Sequence, residues 1–184
     1  MLFRSVKLDS QKAIKALRLG MVLVCPTDTV YGLICDAANK KAVEKIYKIK
    51  KRPKNKLLPI FVKDIKMAKE FVEINPKQEK FLKKVWPGAV TVILKSKKGK
   101  GTIGMRMPGC KLVIDMIGRL GRPLAETSAN ISGQPATTKI KEVLKYFKGR
   151  KYGPDLIIDA GDLKPAKPSQ VVDFTGSKPK VLRK

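Results

Sequence analysis

The 184-residue chain, 43% hydrophobic and 30% charged, is long enough to bury one full core and too apolar to remain disordered. Its 41 basic residues against 15 acidic ones give a net charge of +26, which implies an anionic partner such as nucleotide or RNA. No apolar run approaches the ~18 residues of a membrane span and the N-terminus has no signal-peptide layout, so a cytoplasmic protein with no membrane partner is expected.

In chain order, Ser10 to Leu19 is amphipathic through Ala13, Ile14 and Leu17, with Gly20 placed to stop the helix. Met21–Cys25 reads as a short buried strand, and PTDTVYGL follows it directly at residues 26–33. A plain turn needs the proline and glycine of that stretch; it does not need Thr27, Asp28, Thr29 and Tyr31 together. Asn39 is placed to cap a helix carrying Ala42, Val43, Ile46, Tyr47 and Ile49 on one face and stopped by Pro53. Leu57–Val62 reads as a strand, Asp64 caps the next helix, and Asn75-Pro76 starts another that ends at Trp86-Pro87-Gly88. Two strands follow, Ala89–Lys95 and Thr102–Met107, then a helix over Leu112–Leu120, a strand over Pro123–Glu126 and a helix over Thr138–Phe147. Leu156–Asp159, Val171–Phe174 and Val181–Arg183 close the sheet. Helices between some strands and hairpins between others predict one mixed α/β domain over residues 1–184.

The lysines cluster between Lys40 and Lys56, between Lys95 and Lys100, and between Lys145 and Lys151. Such runs serve either as a solubilising surface or as a polyanion-binding one; their sum favours a polyanion. Cys25, Cys35 and Cys110 share no CxxC spacing and the chain has no histidine, so reduced thiols are expected in place of a zinc site or a disulfide framework. The lack of histidine also excludes triads and histidine acid–base chemistry. Gly99–Gly104 spells GxGxxG, but it runs into a strand instead of opening a helix and is a hairpin turn, not a dinucleotide fingerprint.

Four other stretches hold more chemistry. Lys50-Lys51-Arg52-Pro53, taken as extended, puts two cations on one side and suits a phosphate chain; it also reads as a basic helix end. Thr127–Gly133 (TSANISG) places hydroxyls and an amide after a strand, either as a ligand site or as a hydrophilic turn. Ser169 precedes the strand Val171–Phe174. Arg106, within an apolar strand, needs an acid or an anionic ligand.

Together PTDTVYGL, the K-x-R of KKRP, WPGAVTVIL, TIGMRMP, the S-x-N of TSANISG, and PSQVVDF resemble the YrdC family, the threonylcarbamoyl-AMP synthases of tRNA modification. The resemblance runs from Pro26 to Phe174 and implies a single-domain α/β fold, a twisted mixed β-sheet with flanking helices around a basic concave cavity. It implies a nucleotidyltransferase that makes threonylcarbamoyl-AMP and pyrophosphate from L-threonine, bicarbonate and ATP, with Mg²⁺ carried on the ATP and none held by protein side chains. Downstream threonylcarbamoyl-transfer proteins would then act on tRNA. By motif, Thr29, Arg106 and Ser169 would hold threonine. Lys50, Arg52 and Lys56 would hold the ATP phosphates, and Thr102, Ser128, Asn130 and Arg183 would line the nucleotide. The chain departs from the family at Gln170 and Ala136, where hydroxyls are usual, and at Phe61 and the segment Arg106–Lys111, which lack histidine. It ends just after Arg183, so the extra C-terminal domain of longer members is expected to be absent. The competing reading is a non-catalytic double-stranded RNA or ribosome-binding module built on the same cavity.

Overall fold

The structure, a computed structural model, describes residues 4–7, 10–99 and 101–184; Lys100 of the Gly99–Gly104 turn lies outside them. Strand β1 (Arg4–Lys7) precedes helix α1 (Ser10–Arg18), which ends where Gly20 turns the chain at φ +73°. Strands β2 (Leu23–Cys25) and β3 (Gly32–Asp36) form an antiparallel hairpin joined by residues 26–31. Neither β1 nor β3 is anticipated by the sequence. All five residues of β3 are buried, so no in-out alternation marks it.

Asn39 opens α2 (Lys40–Lys50) by accepting from the Ala42 amide at 3.0 Å. Of the strand predicted at Leu57–Val62, only β4 (Ile60–Phe61) pairs. Asp64 caps α3 (Ile65–Ala68), and Asn75 with Gln78 forms a capping box on α4 (Pro76–Val85). Strands β5 (Val90–Lys95) and β6 (Thr102–Arg106) pair as a hairpin, followed by α5 (Lys111–Leu120). Strand β7 (Leu124–Ser128) runs two residues past the predicted end, so Thr127 and Ser128 belong to the sheet and not to the turn after it. Helix α6 (Ile140–Phe147), β8 (Leu156–Asp159), β9 (Gln170–Asp173) and β10 (Lys180–Arg183) complete the chain.

The ten strands form one mixed sheet in the order β1-β8-β2-β3-β7-β4-β6-β5-β9-β10. Its two faces carry separate cores. Ile14 and Leu17 of α1, Met67 of α3, Leu82 of α4 and Val113, Met116 and Ile117 of α5 pack on one side. Ile46 and Ile49 of α2 with Ile140, Val143 and Phe147 of α6 pack on the other. Each such side chain removed from water contributes about 1.5–3 kcal/mol, which makes the sheet a stiff support. In its middle, register sets Leu124 opposite Phe61 and Phe61 opposite Arg106 across β7, β4 and β6. These three therefore share a face, and Glu126, two residues beyond Leu124, shares it too.

Candidate active site

The hydroxyls of PTDTVYGL are first of all the internal struts of the β2–β3 connection. Thr27 Oγ1 donates to the Val30 carbonyl at 2.7 Å and accepts from the Thr29 amide at 3.1 Å. Tyr31 donates to the Gly161 carbonyl at 2.6 Å and accepts from the Ala160 amide at 3.1 Å, tying the loop to the segment after β8. Thr29 is left with its Oγ1 3.1 Å from that of Thr27 and 3.3 Å from Arg106 Nη1.

Arg106 is 2% exposed, so the arginine of this apolar strand is fully buried. It has found an acid. Its Nη2 donates to Asp28 Oδ1 at 2.7 Å and its Nε to the Gly88 carbonyl at 2.8 Å, while the guanidinium lies 5.5 Å over the Phe61 ring. Phe61 thus replaces a polar side chain with an aromatic face that favours the cation. The second oxygen of Asp28 accepts from the Gly109 amide at 2.9 Å. Asp28 stands in the motif but carries no role in the sequence reading; only the fold shows that it is the counter-ion.

The Lys50–Arg52 fork does not exist as predicted. Helix α2 continues through Lys50, and Lys51 turns the chain in the left-handed region at φ 51°, so the two cations are not alternate residues of an extended segment. Lys50 is 2% exposed and its Nζ reaches across to the TSAN turn, donating to the Ser128 carbonyl at 2.7 Å and to both Asn130 oxygens, carbonyl and Oδ1, at 2.9 Å. Ser128 Oγ donates to Asn130 Oδ1 at 2.6 Å. The lysine clamps the turn from behind. Burial, then the nearby Arg52, pulls its pKa down from the ordinary 10.5 to about 8. Arg52 is held separately, donating to the carbonyls of Lys56 at 2.8 Å and Leu57 at 3.0 Å.

These groups surround a cavity of about 280 Å³. Seven of the ten residues singled out from the sequence line it: Thr29, Arg106, Ser169, Arg52, Ser128, Asn130 and Arg183. Ser169 Oγ lies 3.0 Å from Thr91 Oγ1, and Arg183 of β10 donates to the Ser169 carbonyl from Nη2 at 2.6 Å and Nε at 3.0 Å. Lys50 stands behind the wall; Lys56 and Thr102 are exposed and do not line the cavity. Thr102 lies four residues along β6 from Arg106, roughly 13 Å at strand spacing. Ala136 lines the wall at a position where a hydroxyl would add a contact. Gln134, Thr127 and Glu126 also line it and were missed. Glu126 ends the predicted strand Pro123–Glu126, and only the register of β7 with β4 shows that it faces the cavity. Burial raises its pKa, against the lowering pull of Arg106, Lys50 and Arg183. A larger cleft of about 550 Å³ between α1 and α5 is bordered by Lys15, Arg18 and Arg119 and gathers none of these groups.

Residues 15–184 match the Sua5/YciO/YrdC family, described as "Telomere recombination". A Bacillus subtilis relative named threonylcarbamoyl-AMP synthase is 36% identical over 182 residues, covering 94% of this chain; the chain spans 52% of that relative's length. The structure of Pyrococcus abyssi Sua5 complexed with L-threonine superposes with a TM-score of 0.87 at 29% identity, over 100% of this chain and 57% of that one. Escherichia coli YciO superposes with a TM-score of 0.88 at 27% identity, over 100% of this chain and 96% of that one.

Proposed function

The chain belongs to the Sua5/YciO/YrdC family, and we propose that within it this protein makes threonylcarbamoyl-AMP and pyrophosphate from L-threonine, bicarbonate and ATP. The observation that carries the reading is convergence. Thr29, Arg106 and Ser169 border the same single cavity as Arg52, Ser128, Asn130 and Arg183. A small hydroxy-amino acid and a nucleotide triphosphate need such a pairing of hydroxyls with guanidinium groups. One solved relative, the Sua5 protein of Pyrococcus abyssi, is complexed with L-threonine.

The chemistry asks little of acid–base side chains. A carbamate oxygen attacks the α-phosphorus of ATP and pyrophosphate leaves, so the enzyme must hold anions in line and offset developing negative charge. Arg52 and Arg183 border the cavity without a carboxylate partner, each bound to backbone carbonyls through Nε and Nη2, so their charge is available to phosphates; Arg106 is committed to Asp28 on one edge and keeps Nη1 toward Thr29. Among the described residues no group of three or more potential metal ligands exists. Mg²⁺ would enter on the ATP phosphates, and no protein side chain is assigned to it. Threonine- and bicarbonate-dependent pyrophosphate release from ATP by the pure protein tests the reading. Release that ignores threonine would overturn it.

Thr29 is 5% exposed with its hydroxyl between Thr27 and Arg106. Thr29→Ala should therefore raise the Michaelis constant for threonine about tenfold and leave ATP affinity unchanged. Equal loss for both substrates would show that the two halves of the cavity are misassigned.

The same reading includes tRNA, bound as a duplex through phosphates. The exposed lysines of the Lys40–Lys56 stretch and those of Lys139–Lys151 come together, with Lys48, Lys51, Arg150 and Lys151 bordering one surface hollow. Affinity for duplex RNA should fall roughly a thousandfold between 50 and 200 mM salt if about six phosphates are engaged, with little dependence on base sequence. Filter binding on duplexes of unrelated sequence decides this; a flat salt response rejects it. A purely RNA-binding module would not require the hydroxyls of Thr29, Ser128 and Ser169 to border one cavity, which favours the enzyme.

A further inference from the structure

Glu126 is the one acidic side chain among the described residues that line the cavity, and it is uncommitted. Among those residues its carboxylate makes no ion pair and no side-chain hydrogen bond. Asp28, the nearest comparison, is fully engaged by Arg106 and the Gly109 amide. Glu126 extends beside Gly32 of the neighbouring strand β3, where a Cβ would meet its Oε1 at an ordinary contact distance of 3.4 Å. Arg106 and Glu126 project from the same sheet face, separated by the single strand β4, which sets their strands roughly 10 Å apart, and both side chains line the cavity.

The carboxylate is open to the cavity, under the pull of Arg106, Lys50 and Arg183 but hydrogen-bonded to none of them, so it can still accept a strong donor from a ligand. The cavity already offers guanidinium groups for carboxylate and phosphate, and a free α-amino acid brings one positive group, its ammonium. A metal ion would need more than one acid, and no second one is present among the lining residues. A ribose hydroxyl would be served as well by a neutral acceptor.

We infer that Glu126 receives the α-ammonium of the amino-acid substrate and takes one proton from it, so that a neutral amine meets bicarbonate. The inference rests on the synthase reading above. In the first step R–NH₃⁺ and the Glu126 carboxylate give R–NH₂ and the Glu126 carboxylic acid. In the second, the amine nitrogen bonds to the bicarbonate carbon, a C–OH bond breaks, and R–NH–COO⁻ and water result; Glu126 then returns its proton to solvent. Burial raises the proton affinity of this side chain against the lowering pull of Arg106, Lys50 and Arg183, the direction a proton acceptor needs. Phe61 supplies no base on this face, and the chain has no histidine.

Calorimetry on the full chain tests the inference with two probes, L-threonine and 3-hydroxybutyrate, which keeps the carboxylate and hydroxyl but lacks the amine. Glu126→Gln is expected to weaken threonine binding about tenfold or more, as loss of a charge-assisted bond does, while 3-hydroxybutyrate and ATP bind within about twofold of wild type. Threonine-dependent pyrophosphate release should fall about a hundredfold, the lower range of general-base contributions, and the acid limb of its pH profile should vanish. If E126Q also loses ATP, the fold has suffered; Glu126→Asp, which keeps the charge but draws the carboxylate back by one methylene, must then raise the Michaelis constant for threonine severalfold with ATP unchanged. Threonine binding in E126Q equal to wild type, or an E126D protein indistinguishable from wild type, overturns the inference and leaves the synthase reading standing. A wild-type protein that binds no threonine at all overturns both.

Discussion

Replacing Lys50 by methionine is expected to lower the unfolding free energy by about 3–5 kcal/mol, because it leaves the carbonyls of Ser128 and Asn130 without their buried donor. Methionine fills the space of the lysine stem, so the loss isolates the ammonium head. The urea midpoint should drop with little change in the slope. ATP binding should fall as well, since the Ser128–Asn130 turn that borders the cavity is held by this one side chain. The pH dependence carries a distinctive sign. In the folded protein Lys50 releases its proton near pH 8, against an ordinary 10.5, so between those values the unfolded chain binds a proton that the folded one does not. Stability from this group rises with pH through that window and is lowest, and flat, below it. The advantage of wild type over the methionine variant should therefore grow from pH 8 toward 10.5. An advantage that shrinks there, or a midpoint unchanged by the substitution, would show that Lys50 is not the clamp.

Helix starts were legible because capping is local: Asn39, Asp64 and Asn75 each satisfy an amide within three residues. Strands β8 and β10 announce themselves by composition, whereas β3 does not. GLICD is buried on both sides between β2 and β7, and a short stretch that is apolar throughout has no period to read. The K-x-R segment failed for a related reason. Alternation was applied to residues that α2 still holds, and Lys51 could end the helix in a left-handed conformation that no sequence rule assigns to lysine. The membership of the site was largely readable, since motif residues Thr29, Arg52, Arg106, Ser128, Asn130, Ser169 and Arg183 do meet. What could not be read was their pairing. That Arg106 needs an acid follows from burial alone; that the acid is Asp28, 78 residues away in sequence, follows only from the register of β6 with the middle of the sheet. Glu126 was hidden because its face follows only from the register of β7 with β4.

That pairing leads to the second large effect. Asp28→Ala should cost about 3–5 kcal/mol, since it strips the counter-ion from an arginine that is 2% exposed. Asp28→Asn should be nearly as damaging. The carboxylate accepts from two donors at once, Arg106 Nη2 and the Gly109 amide, and an amide would turn its own N–H₂ toward one of them. Most of the cost is the stranded charge and not the lost attraction, so removing the arginine too should recover part of it. Asp28→Ala with Arg106→Met should unfold at a higher urea concentration than Asp28→Ala alone, the methionine packing on Phe61 where the guanidinium now lies. Stability and function then separate: the double variant regains fold, keeps ATP affinity through Arg52 and Arg183, and binds no threonine. A single Asp28→Ala as stable as wild type would mean that Arg106 is compensated elsewhere. A double variant that still binds threonine would mean that the carboxylate of the amino acid is held by some other group.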